Sequence, residues 1–443
     1  MDLAKLFPRI LKPALGCTEP VAVGLAVAAA VREAAGCGPG GGPAYVPPAG
    51  ERLQSIRVRV NRNVFKNAFS ILIPNAEGHK GIVMAAALGA LCDPALDLQL
   101  FRSLGHDHIT SALHLMDEDR VKVDLAENVD TDLFIEAVVS LALDDGAHEG
   151  ECLIRDRHSN IVRLARDGRE TFRRDAPGET TAPEEDPGFA ELYALRFADL
   201  PPLARDLPEP VRDLLRRTVE LNTVACEAGL AQPLGLGAGF FGLSAGDGDR
   251  RTPDVASLTA AGSDARMSGF PVEVMSSAGS GNQGIIATVP VAAFARANGI
   301  PEDLLLEAVA LSHLVTMHLA LHVGYLSALC GVAVKAGIGA ACGLVRLMGG
   351  TVEDMERALK IMVATLSGMI CDGAKAGCAL KVSSSADMAL RSAQLALRKI
   401  EVPDDNGIVA PTADETIRNL AALGKSMETA DDKILAIMQS KLQ

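Results

Sequence analysis

The residues with the greatest chemical reach in this sequence are cysteines flanked by glycines and cations. Ser367-Gly-Met-Ile-Cys371-Asp-Gly-Ala-Lys-Ala-Gly-Cys378-Ala-Leu-Lys381 carries two thiols seven positions apart. On an unbroken helix they would stand about 10 Å apart along the axis, awkward for a shared metal centre. Gly373 and Gly377 predict a break, so that a loop can fold both thiols toward one point. Lys375 and Lys381 are cations able to lower thiol pKa values and offset anionic thiolates. Two buried helical cysteines would satisfy the same spacing. Cys330 lies within a charge-free segment, just downstream of His322 and Gly324, and packing is the default role of a lone free cysteine. Cys342, in a run of glycine and alanine, reads as core.

Two further constellations stand outside that segment. Gly16-Cys17-Thr18-Glu19-Pro20 precedes an apolar stretch, and Pro20 suits a first helical turn. A thiol at that point would feel the positive end of the helix dipole, which favours thiolate; a surface cap with an incidental cysteine is the alternative. Met275-Ser-Ser-Ala-Gly-Ser280-Gly281-Asn282-Gln283-Gly284 is small and polar and leads into another apolar helix. It can offer N–H groups and hydroxyls to a carboxylate, or be a plain glycine turn. It lacks the lysine and glycine spacing of a P-loop, and no nucleophile elbow, H-E-x-x-H pair or dinucleotide fingerprint occurs in a suitable context.

The elements that must position these groups predict an α+β protein. Its C-terminal half is mostly helical and carries the cysteine site; its N-terminal part is α/β with a small β-rich subdomain. We place segment boundaries at 1–100, 101–205 and 206–443. Helices are expected at Val21–Ala35, Gly81–Leu91 and Leu133–Leu143, and as a pair over Glu415–Leu442. Strands are expected at Ile56–Val60, Phe69–Ile73, His106–Met116 and Val121–Leu125. Glu151–Arg155, His158–Arg166 and Glu170–Arg174 predict a small antiparallel sheet. Ala176–Asp199, acidic and Pro-containing, reads as a solvated linker.

Composition narrows the function. The chain is 48% hydrophobic and 22% charged, ordinary for a globular protein. A formal charge of −14 argues against a nucleic-acid partner. Nine cysteines, an odd number, and no visible secretory signal point to the reducing cytoplasm. Ala308–Val334 holds no Asp, Glu, Lys or Arg and could cross a bilayer by length. It contains His313, His318 and His322, costly in lipid, so a buried core helix is the expectation and no membrane partner is assigned. Apolar Gly/Ala-rich helices make a homodimer the expected assembly.

In combination these pieces resemble the L-cysteine desulfidase family, related to the α-subunit domain of iron–sulfur L-serine dehydratases. The matching stretches run in order: Leu15-Gly-Cys-Thr-Glu-Pro20, Asn63-Val-Phe-Lys-Asn67, the His148–Gly168 hairpin with His158-Ser-Asn-Ile, and Ser277-Ala-Gly-Ser-Gly-Asn-Gln-Gly284. His322-Val-Gly-Tyr-Leu-Ser-Ala-Leu-Cys-Gly331 and Gly368-Met-Ile-Cys-Asp-Gly-Ala-Lys-Ala-Gly-Cys-Ala-Leu-Lys381 complete the series. The resemblance implies an iron–sulfur lyase with a 4Fe–4S cluster whose open iron acts as a Lewis acid. It implies Cys330 and Cys371 as ligands, with Cys378 as the third ligand or Cys17 in its place. The implied reaction is β-elimination of L-cysteine to pyruvate, ammonia and sulfide. L-Serine dehydration by the same chemistry and a non-catalytic cluster sensor are the alternatives. Cys17 or His322 would be the base, and Thr18, Lys66, Asn67, Ser280 and Asn282 would bind a small amino acid. Tyr325 stands where the family would favour a basic residue.

Overall fold

The computed structural model describes residues 1–38, 46–127, 129, 131–174, 187–243 and 254–441. The strands are β1 (Leu11–Leu15), β2 (Leu53–Val60), β3 (Val121–Leu125), β4 (Phe134–Leu143), β5 (Gly146–Arg155), β6 (Ile161–Arg166), β7 (Arg169–Arg173) and β8 (Glu273–Ser277). β2 to β7 form one sheet in the order β3-β2-β4-β5-β6-β7. β2 and β3 run parallel and every other pairing is antiparallel. The architecture is α+β, as expected.

The sheet joins segments on both sides of residue 100. β2 pairs with β4 over Leu53–Val60, so both contribute to one core with the Thr18–Ala34 helix. That helix lies directly on β5. A Cβ at Gly150 would come within 2.0 Å of the Ala30 carbonyl oxygen, so only glycine permits this approach. At Gly89 the Ile82–Gly89 helix approaches Gly24 in the same way: a Cβ there would come within 2.4 Å of the Gly24 Cα.

Three expected elements differ. His106–Asp117 is a helix, with Ile109, Ala112 and Leu115 buried at three-residue spacing, not a strand. Leu133–Leu143 was expected to be helical but forms β4, where Ile135, Ala137, Val139 and Leu141 are buried with period two. Its two flanking pairings satisfy the backbone and override helical propensity. Phe69–Ile73 contributes one isolated bridge, Leu72 to Lys80, rather than a strand. Within the expected acidic linker, 175–186 lie outside the described residues. Pro187–Ala194 is a helix with Phe189 and Leu192 buried.

The second core is helical. Glu302–Val323 is long and apolar enough to cross a membrane, but 78% of its apolar window is buried inside the protein, as befits a core helix. It packs with Gly281–Ala297, Gly337–Leu347 and Ala413–Ser426. Two connections tie this body to the N-terminal layer. β1 pairs with β8, matching Leu11 to Ser277 and Leu15 to Glu273. The final helix, Glu428–Gln439, returns to the Arg62–Ala68 helix. The candidate site lies along this seam.

Candidate active site

The N-terminal side of the seam is built around one carboxylate. Cys17 caps the Thr18–Ala34 helix and Glu19 occupies its first turn. Glu19 is buried, and its Oε2 lies 3.0 Å from Cys17 Sγ and 3.1 Å from Thr18 Oγ1. Thr18 Oγ1 is equally close to the Gly279 carbonyl oxygen, linking the helix start to the 277–284 loop. Asn67 Nδ2 donates to Glu19 Oε1 at 3.1 Å, and His158 Nε2 stands 3.7 Å from that oxygen. Burial would raise the Glu19 pKa, but His158, Cys17 and Arg266 hold it down to about 2. Glu19 is therefore ionised at neutral pH. Burial pushes the Cys17 thiol well up and the Glu19 charge adds to it. This corrects the expectation of a dipole-stabilised thiolate: the nearby full charge outweighs the partial charge of the helix end.

The other side carries the thiols. Cys330 N–H donates to the Met369 carbonyl at 2.8 Å and Cys371 N–H to the Ala328 carbonyl at 2.7 Å, around an antiparallel bridge between Leu329 and Ile370. Alternation about that bridge puts Cys330 and Cys371 on one face. As the glycines predicted, the chain loops after Cys371, with Gly373 at φ +93°, and Cys378 opens the helix Cys378–Leu397. Burial raises Cys330 to about 12, with Cys371 and Cys378 adding to the shift and Lys381 opposing it. Lys375 and Lys381 both pair with Asp372, so their charge is shared with a carboxylate. Cys371 Sγ lies 3.9 Å from Asn67 Oδ1. Asn67 thus connects the thiols to Glu19.

Among the described residues no three His, Cys, Asp or Glu side chains converge at the distances of a single ion. A cuboidal iron–sulfur cluster places its irons at separate corners, so its thiolate ligands must share a face rather than a point. Cys330 and Cys371 share such a face across the Leu329–Ile370 bridge, and Cys378, a third soft donor, is near enough to influence the Cys330 thiol. Cys17 packs in a small apolar cluster with Ile71 and Met267, against which Cys378 and Ala374 rest. It reaches the third-ligand region while its thiol is engaged by Glu19.

The remaining expected residues divide. Ser280 caps the Gly281–Ala297 helix without a side-chain bond, and Asn282 Oδ1 accepts from Arg266 at 3.1 Å. The preceding turn is tight, with Ala278 and Gly279 at φ +45° and +79°. Lys66 is fully buried, and its ammonium is 2.6 Å from Asp431 on the last helix. That ion pair occupies the charge assigned to substrate. His322 stacks on Tyr193, with centroids 4.3 Å apart, and meets His318 edge-on. Its ring contacts lie with those residues and not with the Glu19 set.

Three groups escaped the sequence reading. His158 is buried at the turn after β5, and a Cβ on Gly279 would sit 3.3 Å from its ring. Its place in the His148–Gly168 hairpin is the sequence signal that points to it. Arg266 and Lys335 are also buried, and nothing in their local sequence marks them. Lys335 lies in a π-helical turn, Val332–Ala336, and donates to the Gly324 and Tyr325 carbonyls at 2.9 Å each. Burial lowers it to about 8 against the pull of Asp132, Cys371 and Cys330. At the position of the unexpected tyrosine, the Tyr325 N–H donates to Asp132 Oδ2 at 2.7 Å.

Residues 203–436 match the model of the serine dehydratase alpha chain. The chain belongs to that family. It is also similar along its length to UPF0597 proteins. That of Caldanaerobacter subterraneus is 36% identical over 97% of this chain and 96% of its own. That of Nitratidesulfovibrio vulgaris is 37% identical over the whole of both. That of Geobacter sulfurreducens is 36% identical over 97% and 96%. The serine dehydratase match contains Cys330, Cys371, Cys378, Arg266 and the 277–284 loop. Cys17, Glu19, Asn67 and His158 lie before it.

Proposed function

We propose that this protein is a cytoplasmic lyase that removes the β-substituent of a small L-amino acid, with L-cysteine as substrate and a 4Fe–4S cluster held by Cys330, Cys371 and Cys378. The observation that carries this reading is the Asn67 bridge, which connects Cys371 to the ionised Glu19, itself beside the buried His158. Membership of the serine dehydratase alpha chain family supports lyase chemistry on amino acids. When bound, the cluster supplies a Lewis acid that makes the β-substituent a better leaving group.

The chain's own groups perform the proton work. His158 Nε2 has no hydrogen-bond partner and takes the Cα proton, while the Glu19 carboxylate steadies the resulting imidazolium. This assigns the base to His158 rather than His322. The electron pair from the Cα–H bond forms the Cα=Cβ bond as the C–S bond breaks, releasing hydrosulfide. The aminoacrylate product tautomerises to an imine, and water hydrolyses it to pyruvate and ammonia. The N–H groups at the start of the Gly281–Ala297 helix face the carboxylate, with Ser280 and Asn282 beside them. Thr18 and Asn67 hold Glu19 in place, and Cys17 is a protonated donor to it.

L-Serine, losing water instead of hydrosulfide, is the second substrate reading, favoured by the family's name. The test is anaerobic purification followed by iron and sulfide analysis and assays of pyruvate from L-cysteine and L-serine. Pyruvate and sulfide from L-cysteine are expected. Iron without turnover of either amino acid would convert the protein to a cluster-binding sensor, and absence of both would end the lyase reading.

A further inference from the structure

The buried guanidinium of Arg266 has no carboxylate in ion-pair reach among the described residues. It is 3% exposed. Two hydrogen bonds hold it: Nε donates to the Gly16 carbonyl at 3.0 Å and one terminal nitrogen to Asn282 Oδ1 at 3.1 Å. Both acceptors are neutral. A buried cation whose direct hydrogen-bond partners are all neutral is costly to bury, and a bound anion would offset that cost. Glu19 feels the Arg266 charge but is engaged by Cys17, Thr18 and Asn67.

Arg266 also lies against a helix start. A Cβ at Gly281 would be 2.3 Å from Arg266 Nε and 2.7 Å from its Cζ, so glycine there lets the guanidinium rest on the first turn of Gly281–Ala297. The first intrahelical bond of that turn runs from Gly284 N–H to the Ser280 carbonyl. The N–H groups of Gly281, Asn282 and Gln283 precede it and point out of the helix end. On the same turn, Gln283 is 4% exposed and its Oε1 has no hydrogen-bond partner. Its carboxamide abuts Gly331, the neighbour of Cys330; a Cβ on Gly331 would be 2.9 Å from Gln283 Nε2. One helical turn therefore has a cation at one side and a buried carboxamide whose Nε2 faces Gly331 and whose Oε1 is unfilled.

We propose that Arg266 and the first turn of Gly281–Ala297 receive the α-carboxylate of a free α-amino acid, and that Gln283 Oε1 accepts its α-ammonium. The site would take zwitterionic amino acids and refuse their amides and esters. The inference rests on the lyase reading for the reaction performed on that substrate, but not for binding itself.

The test is equilibrium binding by titration calorimetry on the anaerobic full-length protein. L-Alanine serves as an amino acid with no leaving group, L-alaninamide lacks the carboxylate, and propionate lacks the ammonium. L-Alanine is expected to bind roughly 10- to 100-fold more tightly than L-alaninamide, the worth of hydrogen bonds to a charged group. Arg266→Gln should erase that preference, Arg266→Lys should restore part of it, and Gln283→Leu should narrow the gap between L-alanine and propionate. Equal binding of L-alanine and L-alaninamide by the wild type overturns the proposal without any variant having to fold. So does a preference that survives in folded Arg266→Gln, or no binding of L-alanine at all. Carboxylate-selective binding without turnover of L-cysteine or L-serine would retain the clamp and remove the lyase reading. Turnover with an unchanged KM in Arg266→Gln would do the reverse.

Discussion

The histidines of the Glu302–Val323 helix and the polar groups of the seam are both buried, yet they are satisfied differently. His313 Nδ1 meets Ser277 Oγ at 2.9 Å and its Nε2 meets Thr288 Oγ1 at 3.1 Å. His318 Nδ1 meets the Leu192 carbonyl at 3.0 Å, and His322 is covered by Tyr193. Burial lowers His313 to about 3 and His322 to about 4, so both are neutral parts of the packing. Along the seam, His158 Nε2 and Gln283 Oε1 are buried without hydrogen-bond partners, and Arg266 hydrogen-bonds only neutral acceptors, with the Glu19 charge nearby but no contact ion pair among the described residues. Buried polar groups in a core satisfy one another. An unpartnered buried atom alone marks no ligand site, since Ser312 Oγ of the same core helix is one; the seam differs in setting such atoms beside an ionised carboxylate and a buried cation. A histidine's spacing on a helix does not distinguish these cases; its partners do.

The comparison can be broken most severely at the thiols. Cys330→Ala and Cys371→Ala are each expected to lose bound iron and all turnover, whereas Cys342→Ala, deep in the helical core, should keep both. Iron analysis after anaerobic reconstitution reads this directly, and iron loss in Cys342→Ala would show that the effect is only packing. Next in size is the histidine contrast. His158→Gln should lower kcat by roughly 10²- to 10⁴-fold, the usual worth of a general base, while His322→Gln changes it by less than about threefold. The reverse ranking in steady-state assays would return the base to His322.

A pH test sharpens the electrostatic half of the contrast. Glu19 is depressed to about 2 from an ordinary 4.5, so its contribution to stability is full above pH 4.5 and lost as pH falls toward 2. That contribution is about 3 kcal/mol. Urea unfolding at successive pH values should show a steep loss over this window in the wild type and a shallower one in Glu19→Gln. Smaller again is the core effect. His318→Ala leaves the Leu192 carbonyl unpaired and opens a cavity, costing about 2–3 kcal/mol in chemical denaturation. Its KM should stay at the wild-type value.

Much of the framework was legible from residue order. The loop after Cys371 followed from Gly373 and Gly377, the hairpins of β5 to β7 from alternation and turn residues, and the Thr18–Ala34 helix from its apolar run. The inversions at His106–Asp117 and β4 arose where a short apolar run suits either period. β4 is extended because β2 and β5 claim its two edges. At the site, the thiols and the 277–284 loop are visible as motifs, but the ion pair that holds Lys66 is not, because its partner is distant. Asp431 stands 365 positions away. Arg266 gave no local signal, and its acceptor at Gly16 is 250 positions away.

By itself, then, the sequence determined which chemical groups are present and the local bends that present them, because periodicity and glycine conformational freedom act over a few residues. It determined the thiol-bearing loop, the cap at Cys17 and the tight glycine turn at 277–284. Only the tertiary structure decided which groups meet. Pairing β1 with β8 and packing the last helix on Arg62–Ala68 bring Glu19, Asn67 and His158 against Cys371 and Gly279. The same packing commits Lys66 to Asp431 and turns His322 toward Tyr193. Burial makes those choices consequential: away from water, a charge is compensated by a neighbour, as Lys66 is, or left open for a ligand, as we infer for Arg266.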